Sequence, residues 1–203
     1  MNAANLLTTS RLVLTLPIIL LIYADRPWAM WTAFGLFIAA MLTDVFDGVL
    51  ARRDPNRSPL GTYLDPVADK VLLTSLFICL AHLGVVPMWT ALVFVVREFV
   101  VNGVRSAGAA QGRVVGANWM GKTKTFLQTV AISLALCGLA VAMSDKSGYL
   151  PPLARLCLDL ARWITCVVAV AAAIFAGVFV YWNRWIWFAP PACSNLDEPG
   201  DNT

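Results

Sequence analysis

Six apolar runs, each near the length of a bilayer crossing, occupy most of this chain and leave it few ways to fold. They cover residues 7–24, 28–52, 62–83, 87–110, 123–143 and 154–182. A helix of about 20 predominantly apolar residues crosses a hydrocarbon core. In lipid each backbone N–H and C=O must be satisfied within the protein, which favours helices. The expected fold class is therefore all-α: a polytopic membrane protein with six transmembrane helices.

The runs end where backbone chemistry predicts. Asp25, Arg26 and Pro27 follow the first, and Asp54, Pro55, Asn56 and Pro59 follow the second. Proline cannot donate a backbone proton and restricts the residue before it. Gly84 and Pro87 mark the third turn, Gly108 to Gly121 a longer polar connection, and Ser144 to Pro152 the last break. With 203 residues, 59% hydrophobic and 13% charged, no separate soluble domain fits. The expected division is a membrane domain over 1–188 and a polar, disordered tail over 189–203. No cleavable signal is expected, because Asn2 to Ser10 carries no charged side chain and the first apolar run lacks a small-residue cleavage site.

A net charge of +3 is too small to suggest nucleic acid as a partner. Its distribution says more. Placing both termini, the second loop and the fourth loop on one side gathers Arg52, Arg53, Arg57, Arg105, Arg113, Lys122, Lys124 and Arg184 there. The opposite side receives mainly Arg26, Lys146 and Arg155. The positive-inside rule then makes the first side cytoplasmic. Tryptophans near the predicted span ends, including Trp28, Trp31, Trp89, Trp163 and Trp182, read as an interfacial belt. The five scattered cysteines read as small hydrophobes, and the lone His82 as structural.

Four carboxylates interrupt this apolar pattern: Asp44, Asp47, Asp65 and Asp69. Each costs roughly 2.5 to 3.5 kcal/mol at bilayer depth, so the group needs cations, water or both. On helices, spacings of three and four put Asp44 with Asp47, and Asp65 with Asp69. The topology above places all four near the cytoplasmic ends of the second and third spans, so the six helices are expected to surround a cytoplasm-facing active-site cavity. A divalent metal site satisfies the demand, and hard oxygen ligands suit Mg²⁺ or Mn²⁺.

The segment from Asp44 to Asp69 reads DVFDGVLARRDPNRSPLGTYLDPVAD and matches DxxDGxxARx8GxxxDxxxD at every fixed position. It resembles the signature of the CDP-alcohol phosphatidyltransferases. That resemblance implies a six-helix, homodimeric membrane enzyme of the bacterial cell membrane that moves a phosphatidyl group from a CDP-linked lipid to an alcohol and releases CMP. It further implies two metal ions, Mg²⁺ or Mn²⁺, with Asp44 and Asp65 bridging both, Asp47 on one and Asp69 on the other. Two such ions stabilise the attacking and leaving oxygens of an in-line displacement. Asp69 would also be the catalytic general base.

By the same resemblance Gly48 and Ala51 keep the helix shallow for the CDP-diacylglycerol nucleotide. Arg52 forks onto the pyrophosphate, Ser58 adds a hydroxyl donor, and Gly61 admits the pyrophosphate or a neighbouring helix. The opening NLLTTSR, from Asn5 to Arg11, is similar to the family's first helix, which makes Asn5, Thr8 and Arg11 further nucleotide candidates. Helix capping and interfacial anchoring are the competing reading for those three.

The acceptor must be argued from outside this motif. REFVVNGVR supplies Arg97, Glu98 and Arg105, and GKTKT supplies Lys122 and Lys124. Arg97 and Arg105 lie two helical turns apart on nearly one face. Cations at Arg97, Arg105, Lys122 and Lys124 suit an acceptor carrying its own phosphate. The arrangement resembles the branch of the family that uses glycerol 3-phosphate, although Asn102 stands where that branch commonly has Ser. A structural Arg97–Glu98 pair and simple positive-inside placement of the lysines are the alternatives, and Lys70 has no role fixed by the sequence. Relatives acting on phosphatidylglycerol, inositol phosphate or serine remain open. A cation transporter or metal-stabilised scaffold is disfavoured, because the acids cluster at one end while Trp31 to Ala40 and Val71 to Leu83 stay largely apolar.

Overall fold

The computed structural model describes residues 3–50, 59–110, 119–145 and 149–184, with side chains over 13–43, 70–108, 123–145 and 149–184. Among the described residues there are six helices and no strand. They are α1 (Ala3–Tyr23), α2 (Pro27–Leu50), α3 (Pro59–His82), α4 (Met88–Ala110), α5 (Trp119–Ser144) and α6 (Pro152–Trp182). Over the described residues each apolar run coincides with one of them to within a few residues. The expected tail over 189–203 lies outside the described residues.

Local chemistry explains the boundaries. α2, α3 and α6 each begin on a proline, whose missing N–H is no loss at the first helical position. Asp25, between α1 and α2, has φ 50°, a left-handed conformation that aspartate tolerates better than most residues. α3 stops at Gly84, with φ 71°. There the Val85 N–H donates to Leu80 O at 3.0 Å and the Gly84 N–H to Ala81 O at 3.1 Å, a Schellman closure that satisfies carbonyls left over at the helix end. Arg162 of α6 donates to the Gly84 and Val85 carbonyls at 3.0 and 3.3 Å, tying that turn to the neighbouring helix.

α5 packs against α2, α3 and α6; α1 packs against α2 and α3; α4 packs against α3 and α6. The shared core holds Ile18, Phe37, Leu76, Phe77, Phe94, Ile132 and Leu136. Phe77 and Phe94 meet at 4.8 Å between ring centroids, fixing α3 against α4. α6 turns small residues inward at Ala154, Ala161, Ala169 and Ala172, which allows helices to approach closely.

Thr123–Ser144 and Pro152–Trp182 are long and apolar enough to cross a membrane, while Val13–Tyr23, Pro27–Thr43 and Lys70–His82 are shorter apolar stretches. Large apolar side chains also face outward, with Phe99, Trp163 and Trp182 among the most exposed. Such a surface fits a lipid environment.

The bundle has two distinct ends. At one, Tyr23 stacks obliquely on His82 with centroids 5.8 Å apart, and Trp31 Nε1 donates to Ser144 Oγ at 3.0 Å. His82 thus packs against Tyr23, far along α3 from Asp65 and Asp69. The opposite end holds the ion pairs of Lys70, Arg97 and Lys124 with Glu98.

Candidate active site

α3, α4 and α5 bring five polar side chains together at that second end. Lys70, directly after Asp69 on α3, donates to Asn102 Oδ1 at 2.8 Å and lies 3.4 Å from Glu98 Oε2. Arg97 Nη1 donates to Glu98 Oε1 at 2.8 Å. Lys124 of α5 donates to the same oxygen. Glu98 and Asn102 are four apart on α4, so one helix face presents both to Lys70. One carboxylate therefore answers three cations, leaving two positive charges in excess among these side chains.

Apolar walls hold the cations in place. The Arg97 guanidinium sits 5.5 Å from the centroid of Phe175 on α6, and Lys124 Nζ lies 5.7 Å from that of Phe94. Cations over aromatic faces gain electrostatic attraction that grows as water is excluded. Arg97 is 9% exposed. Its Nε, and that of Arg105, are buried and bond nothing among the described residues. Buried donors are ordinarily satisfied, so these two atoms point to a polar or anionic partner.

Sequence reasoning selected Arg97, Arg105 and Lys124 here, and the structure brings Arg97 and Lys124 together. The sequence offers no site role for Glu98, leaves Lys70 open between balancing local charge and reaching lipid phosphate, and shows Asn102 only as a departure. The missed signal was the i, i+4 pairing of Glu98 with Asn102, one turn after Phe94. Phe175 carried no such signal, since only packing of α6 against α4 brings it to Arg97.

Asp44 and Asp47 lie on α2, and Asp65 and Asp69 on α3, within continuous helix. Thr129 Oγ1 of α5 contacts Met41 Sδ of α2 at 3.7 Å, so position 44, about one turn beyond Met41, falls at the end that holds Lys124. The side chains of these four residues, and of Asn5, Thr8, Arg11, Gly48, Gly61 and Lys122, lie outside the described set. Ala51, Arg52 and Ser58 are outside the described residues altogether. Among the described residues no three His, Cys, Asp or Glu gather as a metal site. As a donor set, four carboxylates at helical spacings of three and four supply the hard oxygen ligands that Mg²⁺ and Mn²⁺ prefer.

The profile of the CDP-alcohol phosphatidyltransferase family matches residues 1–175, and the chain belongs to that family. Among named relatives, the probable phosphatidylglycerophosphate synthase of Mycobacterium tuberculosis is 39% identical over 142 residues, 68% of each chain. The CDP-diacylglycerol–glycerol-3-phosphate 3-phosphatidyltransferase of Rickettsia bellii is 34% identical over 166 residues, 82% of this chain and 90% of the relative. The Bacillus subtilis enzyme of the same name is 43% identical over 101 residues, 50% of this chain and 52% of its own.

Proposed function

We propose that this protein is a phospholipid-synthesising transferase that moves the phosphatidyl group of CDP-diacylglycerol to glycerol 3-phosphate, giving phosphatidylglycerophosphate and CMP. The observation that carries the acceptor is the cationic cluster of Lys70, Arg97 and Lys124, which adjoins the Asp69 position through Lys70. A phosphate-bearing alcohol held there would lie beside the acidic motif. The names of the relatives support the same substrates.

In this reading Asp44, Asp47, Asp65 and Asp69 hold two divalent ions, Mg²⁺ or Mn²⁺. Bound there, the metal supplies Lewis-acid stabilisation of charge on the phosphoryl oxygens. Arg52 and Ser58 bind the pyrophosphate, while Gly48, Ala51 and Gly61 leave room for the nucleotide beside Asn5 and Thr8. Arg97, Arg105, Lys122 and Lys124 orient the acceptor phosphate. Asp69 takes the proton from the acceptor hydroxyl as its oxygen attacks the diacylglycerol-side phosphorus. The new P–O bond forms as the bond from that phosphorus to the CMP oxygen breaks, and CMP leaves with the electron pair.

The reading also has six spans, both termini and the catalytic end on the cytoplasmic side, and a homodimer. Purified protein given CDP-diacylglycerol, a divalent ion and a panel of labelled acceptors tests it. Glycerol 3-phosphate is expected to enter lipid with release of CMP. Incorporation of phosphatidylglycerol, inositol phosphate or serine in its place would reject the acceptor.

A further inference from the structure

We propose that Glu98 is the positioning residue of the acceptor end, gathering Lys70, Arg97 and Lys124 into a preorganised cradle whose excess charge receives the acceptor phosphate. This rests on the acceptor reading above and adds Lys70 to the phosphate-binding set. Three cations on three different helices converge on one carboxylate, and like charges so close would disperse without it. Their side chains are 33%, 10% and 10% exposed for Lys70, Arg97 and Lys124, and that of Glu98 is 18% exposed, so water screens them poorly. Asn102 holds Lys70 from a second direction.

Charge and geometry both leave room for an anion. Three cations against one carboxylate leave an excess of two, and a phosphate monoester carries about −1.5 to −2 at neutral pH. Arg97, nine-tenths buried, keeps an Nε that bonds nothing among the described residues. Glu98 thus acts on binding through the cations it holds, with no contact to the reacting atoms required.

The test compares wild type with Glu98→Gln, which keeps the shape and an oxygen acceptor but removes the charge. The expected result is a KM for glycerol 3-phosphate raised about tenfold or more, with the KM for CDP-diacylglycerol moved by less than about twofold. Glu98→Asp, which restores the charge, should return the first constant to within about threefold of wild type. Should Glu98→Gln fail to fold, Asn102→Ala frees Lys70 alone and should raise the same constant by roughly threefold or more. An unmoved KM for glycerol 3-phosphate in an active, folded variant overturns the proposal, as does an equal rise for both substrates. Wild-type protein inactive with glycerol 3-phosphate overturns the acceptor reading and this inference with it, whereas active wild type with an unresponsive variant overturns this inference alone.

Discussion

Gly138 allows a quantitative test of how α5 and α6 are held together. A Cβ built at that position would lie 2.9 Å from Leu158 Cγ, 3.0 Å from Leu158 Cδ2 and 3.1 Å from Cys157 Cβ. Gly138→Val places that carbon and two methyl groups into the same space. Overpacking of a well-filled interface costs about 1–3 kcal/mol. The upper part of that range applies, because the first added atom already collides with the middle of a side chain. Valine's better helix propensity recovers only about 0.3–0.5 kcal/mol relative to glycine. The net loss is then about 2 kcal/mol, and at roughly 2–4 °C per kcal/mol for a chain of this size the melting midpoint falls by about 4–8 °C.

Thermal unfolding in detergent, followed by circular dichroism or by loss of monodisperse protein, measures this. Gly177→Ala is the matched control: nothing lies within 4 Å of a Cβ there, and replacing a helical glycine should stabilise by about 0.5–1 kcal/mol. Lys124 is roughly 21 Å from Gly138 along α5 at 1.5 Å per residue. Gly138→Val should therefore lower stability without moving the KM for glycerol 3-phosphate. A wild-type midpoint in Gly138→Val, or an equal fall in Gly177→Ala, would refute the packing argument.

Asp69→Asn removes the proposed base while keeping the side chain's shape, and turnover is expected to fall by about 100-fold or more. Nucleotide binding, measured by calorimetry with a CDP-diacylglycerol analogue, should survive; full activity would reject the base assignment. Removing divalent ions with a chelator should abolish transfer, and adding back Mg²⁺ or Mn²⁺ should restore it; retained transfer after exhaustive chelation sinks the metal reading. At the opposite end, Arg162→Ala deletes the bonds to the Gly84 and Val85 carbonyls. Because the side chain is exposed, the expected loss is only about 0.5–1.5 kcal/mol, read as a small drop in midpoint with unchanged kcat.

The helices were legible because their causes are local. Apolar runs bounded by Pro27, Pro59, Gly84 and Pro152 mark elements whose ends the fold reproduces within a few residues. The motif from Asp44 to Asp69 was legible for a related reason: carboxylates at three- and four-residue spacing share a helix face wherever that helix lies. Arg97 was legible as an arginine within an apolar span, and Lys124 through the basic GKTKT segment it shares with Lys122. Glu98 was read only as Arg97's neighbour, and its contacts with Lys70 and Lys124 span 28 and 26 residues of sequence.

By itself, then, the sequence determined an all-helical chain, the order of its helices and the acidic signature of its family. Periodicity, proline and glycine act within a few residues, and so do fixed motif spacings. Only the tertiary structure decided that Lys70, Glu98, Asn102 and Lys124 meet and that Phe175 backs Arg97. Those meetings depend on how far α3, α4, α5 and α6 are rotated about their axes. That rotation is set by the packing of Phe77 on Phe94 and of small residues on α6, in a core that no single segment encodes.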